Sequence, residues 1–475
     1  MIQFFIGLAL IAFFLALVII YLEKENPENT TSWLSFLGVL TILGFVLYII
    51  FGCTPIKNRL FRRKHIPGNR LPGLTLHQEE SLNQDPIFFQ ESLLGKHLSR
   101  AVLKGSCAPL SGNNSAQILI NGQGKFEALI KDLECAQDHI HMEYYIYHND
   151  EIGGTIQKIL ISKARAGIRV RLILDGLGSK SLPKPFVKEL RTAGIEFAWF
   201  FPLRFPQLFA TLNYRNHRKL VVIDGRIGYL GGINIGDEYL SLSPKYGFWR
   251  DTHLRLEGKS VQTIQETFLN DWYFTTDKIV EEKRYFPEYE PCGDLLTQIV
   301  GGGPDSKHES VKALFYTILS AAQTEIFITT PYFIPDESMV MALKSAALKG
   351  ISVKILLQGK PDHKLPYLAS ASYYRDLVEV GVEIYRYQKG ILHSKVITID
   401  QEISIIGSAN FDIRSFQLDF ELSAVIYNAK FTRKLVSEQH EDLKDSIQVT
   451  KEDIEHRTRR YSFQIALARL LSPLL

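Results

Sequence analysis

Two histidines carry the same local chemistry at two places in this chain. His217 is followed by Lys219 and Asp224, and His393 by Lys395 and Asp400, so the pattern H-x-K-x4-D occurs twice. Gly231, Gly232 and Asn234 follow the first copy and Gly407, Ser408 and Asn410 the second; each asparagine lies 17 residues beyond its histidine, and the copies stand 176 positions apart. One H-x-K alone means little, but two copies agreeing at five chemically distinct positions point to shared chemistry. Residues i and i+2 of a strand face the same side, which sets an imidazole beside an ammonium in each copy. Cleaving a phosphodiester requires charge neutralisation, a nucleophile and a proton donor for the leaving oxygen, and two such pairs supply all three without a metal. Asp224 and Asp400 belong to the motif, yet their odd spacing turns them to the opposite face of a continuing strand, which favours a structural task over a catalytic one. The Gly-Gly and Gly-Ser turns can let backbone approach a phosphate, with Asn234, Ser408 and Asn410 as side-chain donors or as ordinary turn residues.

The elements that must hold these groups repeat as well. Lys125 to Ala136 has a helical apolar rhythm, His139 to Tyr147 alternates like a strand, and Ile168 to Leu174 is a β-rich run. In the second half Val311 to Ala322 reads as helix, Glu325 to Tyr332 as strand, Glu337 to Lys349 as helix and Ile351 to Leu357 as a buried strand. Gly167 and Gly350 precede corresponding β-runs, where a helix ends at glycine and turns into a strand. The pattern predicts an α/β fold of two pseudo-twofold-related halves, 113–290 and 291–475, each a mixed sheet flanked by helices.

Ahead of them, two uncharged runs, Ile2 to Leu22 and Trp33 to Gly52, are long enough to cross a bilayer and predict a transmembrane hairpin over 1–54. A juxtamembrane segment, 55–112, follows and carries Lys57, Arg59, Arg62, Arg63 and Lys64; by the positive-inside rule the large C-terminal part then faces the cytoplasm. The chain has 54 Lys and Arg against 51 Asp and Glu, a balance that argues against a dedicated nucleic-acid binder. Its four cysteines, Cys53, Cys107, Cys135 and Cys292, show no C-x-x-C and suit a reducing compartment.

Three further segments have two readings each. His139, His141 and Glu143 share a strand face, either as a polar wall near the cleft or as a metal site, the former being favoured. Phe200 to Phe209 could contact acyl chains or fill the core. Arg457 to Leu475 could lie at a membrane interface or dock on the domain.

At its paired motifs the chain resembles the phospholipase D superfamily, and within it the bacterial cardiolipin synthases. The likeness extends through His139-Ile-His-Met-Glu-Tyr-Tyr-Ile146, Trp249-Arg-Asp251, Pro331-Tyr-Phe333, Asn410-Phe-Asp-Ile-Arg-Ser-Phe416 and Ala468-Arg-Leu-Leu-Ser-Pro-Leu-Leu475. It implies a cell-membrane, multi-pass enzyme that needs no cofactor, acts on phosphatidylglycerol and other anionic phospholipids rather than nucleic acid, and forms a phosphohistidine. His217 is then the nucleophile and His393 the acid, later the base. The resemblance further implies a carboxylate that orients each histidine: Glu421 for that of the second motif, Asp251 for that of the first. Transfer to a second lipid, hydrolysis by water and a nuclease of the same superfamily remain distinct outcomes of the same chemistry.

Overall fold

The computed structural model describes residues 2–23, 27–39, 41–53, 57, 60–61, 78, 93–203, 211, 213–306, 309–470 and 472. Runs of Val and Ile after each histidine favour strands buried on both faces. The first half supplies β1 (Leu110–Ile120), β2 (His139–Tyr144), β3 (Arg169–Asp175), β4 (Glu196–Phe200), β5 (Arg215–Asn216), β6 (Leu220–Ile223), β7 (Ile227–Gly231), β8 (Trp249–Arg250) and β9 (Thr252–Glu257). The second supplies β10 (Leu295–Gly302), β11 (Glu325–Thr329), β12 (Phe333–Ile334), β13 (Ser352–Gln358), β14 (Glu383–Tyr387), β15 (Ile391–Leu392), β16 (Val396–Ile399), β17 (Ile403–Gly407), β18 (Phe411–Asp412), β19 (Asp419–Tyr427) and β20 (Ser446–Gln448).

Among the described residues, sixteen of these strands form one sheet, ordered β20-β14-β13-β11-β16-β17-β19-β10-β1-β9-β7-β6-β2-β3-β4 with β5 attached to β19. Read outward from the antiparallel β1–β10 pair, the two arms have the same plan, and β20 is an extra edge strand. Each arm is mixed: β2–β3 and β11–β13 run parallel, β2–β6 and β11–β16 antiparallel. This is the α/β duplication expected from the repeated motifs.

Helices join the parallel strands, and their ends have local causes. Asp150 and Asp336 cap Glu151–Arg165 and Glu337–Leu348, each accepting a backbone N–H at 3.0 Å. Gly167 and Gly350 follow these helices at φ +91° and +85°, a region in which a Cβ is strained. β6 alternates between two cores: Leu220 and Val222 pack with Phe200, Phe268 and Phe420, Val221 and Ile223 with Leu129 and Ile140. Complete burial of such a side chain stabilises by about 1.5–3 kcal/mol, so β6 is firmly seated between His217 and Asp224.

Asp224 and Asp400 anchor strands and take no place beside the histidines. The Asp224 carboxylate accepts the backbone N–H groups of Gln137, Asp138 and His139 at 2.7–2.9 Å; Asp400 accepts those of Gln323, Thr324 and Glu325 over the same range. Each therefore ties a β-turn to the start of the neighbouring strand, and seven residues of extended chain, roughly 20 Å, separate it from its histidine. As members of the motif they belong to its structure and not to its chemistry.

The N-terminal segment comprises α1 (Ile2–Leu22), α2 (Pro27–Val39) and α3 (Thr41–Phe51). The second expected span, Trp33 to Gly52, falls within α2 and α3, with position 40 between them outside the described residues. Among the described residues no helix is long and apolar enough to cross a membrane. The three helices meet at Ile19, Leu37, Tyr48 and Cys53, while Leu10, Phe13, Phe14 and Leu17 of α1 and Ile42 and Leu43 of α3 are exposed. All four cysteines are unpaired. Arg59, Arg62, Arg63 and Lys64 lie outside the described residues, as do most of segment 55–112 and the end of the C-terminal motif.

Asp400→Ala is expected to destabilise the chain by about 1–3 kcal/mol, because three strand-start amides lose a charged acceptor. Asp400→Asn should recover part of this, and thermal unfolding in detergent reads the difference. A variant that keeps full stability yet loses turnover would give the aspartate a chemical role instead.

Candidate active site

The histidines are brought together by two short parallel bridges. β5 pairs with β19, Asn216 opposite Phe420, so the next residues in register are His217 and Glu421. β15 pairs with β8, Leu392 opposite Arg250, so His393 falls opposite Asp251. Matching backbone bonds continue each bridge: His217 N–H donates to the Phe420 carbonyl at 2.9 Å and His393 N–H to the Arg250 carbonyl at 2.8 Å. The side chains then close the contacts. His217 Nδ1 lies 2.9 Å from Glu421 Oε1, and His393 Nδ1 lies 2.7 Å from Asp251 Oδ2.

The orienting carboxylates are therefore exchanged between the halves. Glu421 and Asp251 are the expected pair, but each serves the other half's histidine, because the carboxylate strand of one half runs beside the histidine strand of the other. An ionised carboxylate only accepts, so Nδ1 carries the proton and Nε2 is the ring nitrogen free for chemistry.

Burial governs the charges. It drives His217 down to about 4, opposed by Glu421 and reinforced by Lys219. His393 is lowered for the same reason, with Lys395 adding to the effect. Desolvation brings Lys219 to about 7 and Lys395 to about 8 against the pull of the nearby carboxylates. Glu421 is raised by burial, but His217, Lys219 and the Ser408 hydroxyl outweigh this and hold it at about 2. The lysines stay close to their histidines, each Nζ donating to the histidine carbonyl of its own motif at 2.5 Å. Tyr145 packs edge-on to His217 with ring centroids 5.1 Å apart, and Trp249 lies 5.3 Å from His393.

The turns after the motifs house the carboxylates. Ser408 Oγ donates to Glu421, and Ser415 Oγ donates to it at 2.9 Å. At the matching position Gly232 is required because a Cβ would run into the Asp251 carboxylate. Ser408 is thus an anchor for Glu421, correcting its assignment as a phosphate donor. Asn234 is likewise committed: its Oδ1 accepts Ile146 N–H and its Nδ2 donates to Tyr239, both at 3.1 Å. Asn410 differs, keeping a buried Oδ1 without a hydrogen-bond partner.

Arg218, the variable residue of the first H-x-K motif, braces the halves. Its Nε donates to the Glu421 carbonyl at 3.0 Å and its Nη2 to the Gly302 carbonyl at 3.1 Å, while Nη1 pairs with Asp271. Arg250 acts similarly from the other side, donating to Asp442 at 2.7 Å and to the Asp251 carbonyl at 2.8 Å. A charged residue at an otherwise free motif position was the available signal.

The other polar segment is internal. His139 and His141 are fully buried and share Gln265, each at 3.1 Å, and His141 stacks on Phe268. Glu143 bonds to Asn216, and burial with the neighbouring Asp271 pushes its carboxyl well above the usual range. Among the described residues no group of three or more His, Cys, Asp and Glu could hold a metal ion. Phe200 and Phe201 fill the core beside Phe61 and Phe420; positions 204–209 lie outside the described residues.

A family described as cardiolipin synthase, phospholipase D-like domain, matches residues 129–272 and 315–443, the two segments that carry the two motifs. The chain belongs to this family. It is 43 % identical to a cardiolipin synthase of Geobacillus sp. (strain WCH70), over 96 % of this chain and 91 % of that one. It is 41 % identical to the major cardiolipin synthase of Bacillus subtilis (strain 168), over 97 % of this chain and 96 % of that one. Its fold is also that of phosphatidylserine synthase from Haemophilus influenzae, at TM-score 0.62 and 14 % identity, covering 80 % of this chain and all of that one. Membership in the cardiolipin synthase family makes this chain a phospholipid-transferring enzyme.

The lysine charges give a pH dependence. They are present below about 7 to 8 and are lost as pH rises through those values, so kcat/KM should fall over that window. A bound anionic phosphodiester favours the ammonium forms, which moves the alkaline limb of kcat to higher pH. Rates in mixed micelles from pH 5 to pH 10 check this, and coincident limbs for kcat and kcat/KM would contradict it.

Proposed function

We propose that this cardiolipin synthase family member joins two phosphatidylglycerol molecules into cardiolipin and releases glycerol. The observation that carries the reading is one site in which two histidines, each held at Nδ1 by a carboxylate, sit with two buried lysines. Lys219 and Lys395 neutralise the phosphodiester, and the Asn410 side-chain N–H groups can donate to its oxygens. His217, neutral at physiological pH, attacks phosphorus through Nε2; the bond from phosphorus to the glycerol oxygen breaks. His393, whose proton affinity rises beside the anionic substrate, gives its Nε2 proton to that oxygen.

In the second step His393 takes the proton from a glycerol hydroxyl of the second phosphatidylglycerol. That oxygen attacks phosphorus, the phosphorus–nitrogen bond breaks, and both histidines return to their starting states. Tyr145 and Trp249, packed against the imidazoles, favour this acceptor over water by keeping the site dry. The uncharged helix α1, with its exposed Leu10, Phe13 and Phe14, supports a membrane anchor, and the basic residues after Gly52 support a cytoplasmic position for the two halves.

Full-length enzyme with phosphatidylglycerol vesicles should yield cardiolipin and glycerol in equal amounts, with little phosphatidic acid. His217→Ala should form no covalent enzyme, whereas His393→Ala should still be labelled slowly by a phosphodiester with an acidic leaving group. Phosphatidic acid as the main product would make the chain a hydrolase, and label retained only by His217→Ala would reverse the two roles. Protease added outside spheroplasts should leave the halves intact, and their digestion would place them on the other side.

A further inference from the structure

The helix Arg459–Leu470 is basic and apolar at once, and its apolar content is only partly covered. Ile465 and Ala468 are buried, whereas Phe463, Leu467 and Leu470 are exposed, Leu470 at 76 %. The helix is docked: Arg469 lies 3.9 Å over the Tyr373 ring and donates to Ser372 Oγ at 3.2 Å, and Arg457 donates to the Ala371 carbonyl at 3.1 Å. Between it and the helix Lys364–Ala371 runs a groove of about 450 Å³, walled by Pro361, Leu365, Leu368, Tyr461 and Leu467. A volume of this size matches sites that hold small ligands.

Pro361, at one end of the groove, follows β13, which packs against β15, the strand leading into His393. Pro361 precedes Asp362, whose carboxylate accepts the Tyr332 hydroxyl and, at 3.0 Å, the Gln358 amide. The Asp362 charge is felt by both His393 and Lys395. The outer fringe is cationic, with Lys360, Lys364, Arg459, Arg460 and Arg469 all exposed. Such a fringe suits an anionic bilayer surface.

A phospholipid that presents its phosphorus to these histidines keeps its chains out of water where an apolar path runs beside the site. We propose that this groove holds an acyl chain of the phospholipid substrate while its phosphodiester lies between His217 and His393. The inference rests on the reading of the chain as an enzyme of phosphatidylglycerol. It makes the C-terminal helix a second contact with the bilayer, beside the N-terminal helices.

The test uses the full chain in mixed micelles and the ratio of its rates on dioleoyl and dihexanoyl phosphatidylglycerol. Leu365→Asp and Leu467→Asp are each expected to lower that ratio at least tenfold. An unchanged ratio overturns the groove, whether both rates fall together or neither does. A second readout needs no turnover: Leu467→Trp should gain fluorescence quenched by phosphatidylglycerol brominated in its acyl chains, beyond the quenching of the four native tryptophans. Absence of this added quenching overturns the proposal even if cardiolipin is made. Quenching without cardiolipin formation upholds the groove and rejects the reaction. A fluorescence change independent of lipid, with doubled particle mass, would assign the groove to a second copy of the chain and overturn the proposal.

Discussion

Everything at the centre of this molecule depends on the exchange of two carboxylates between its halves. Glu421 holds His217 and Asp251 holds His393, and in each pair the partners come from different halves. The two parallel bridges, β5 with β19 and β8 with β15, set these pairs in register before any side chain is considered. A hydrogen bond to a charged group contributes about 1.5–3 kcal/mol, and removing one partner of a buried pair costs about 3–5 kcal/mol because the other is left uncompensated. Neither half can complete a histidine–carboxylate pair by itself. Arg218 reinforces the arrangement from within the first motif by reaching two carbonyls of the second half.

The same burial that makes these contacts strong also sets the protonation states. Desolvation lowers the imidazoles and brings the lysines near 7 and 8, so burial by itself disfavours positive charge here. An anionic phosphodiester reverses that balance, favouring both ammonium groups and a protonated acid histidine. Substrate thus completes the electrostatics of the site, while water, uncharged and small, does not. The aromatic rings against each imidazole keep the surroundings apolar, which strengthens every one of these effects.

Much of this was legible in the residues. The 17-residue interval from histidine to asparagine, repeated in both copies, located the two strand pairs, and odd parity already turned Asp224 and Asp400 away from the chemistry. β-Branched runs and the paired glycines, Gly167 and Gly350, marked the alternating elements. The partner of each histidine was not legible, because Glu421 and Asp251 lie nearer in sequence to the wrong one and only the assembled sheet crosses them. Ser408 and Asn234 misled for a related reason: a polar turn residue looks the same whether it meets a ligand or a neighbouring carboxylate or amide.

Nitrogen-15 spectra of the histidine side chains in the full-length enzyme test the exchange most directly, since each imidazole reports the group bonded to its Nδ1. Glu421→Gln should shift the His217 resonances and leave those of His393 nearly unmoved; Asp251→Asn should do the reverse. The opposite pattern, with Glu421→Gln moving His393 and Asp251→Asn moving His217, would contradict the crossed pairing.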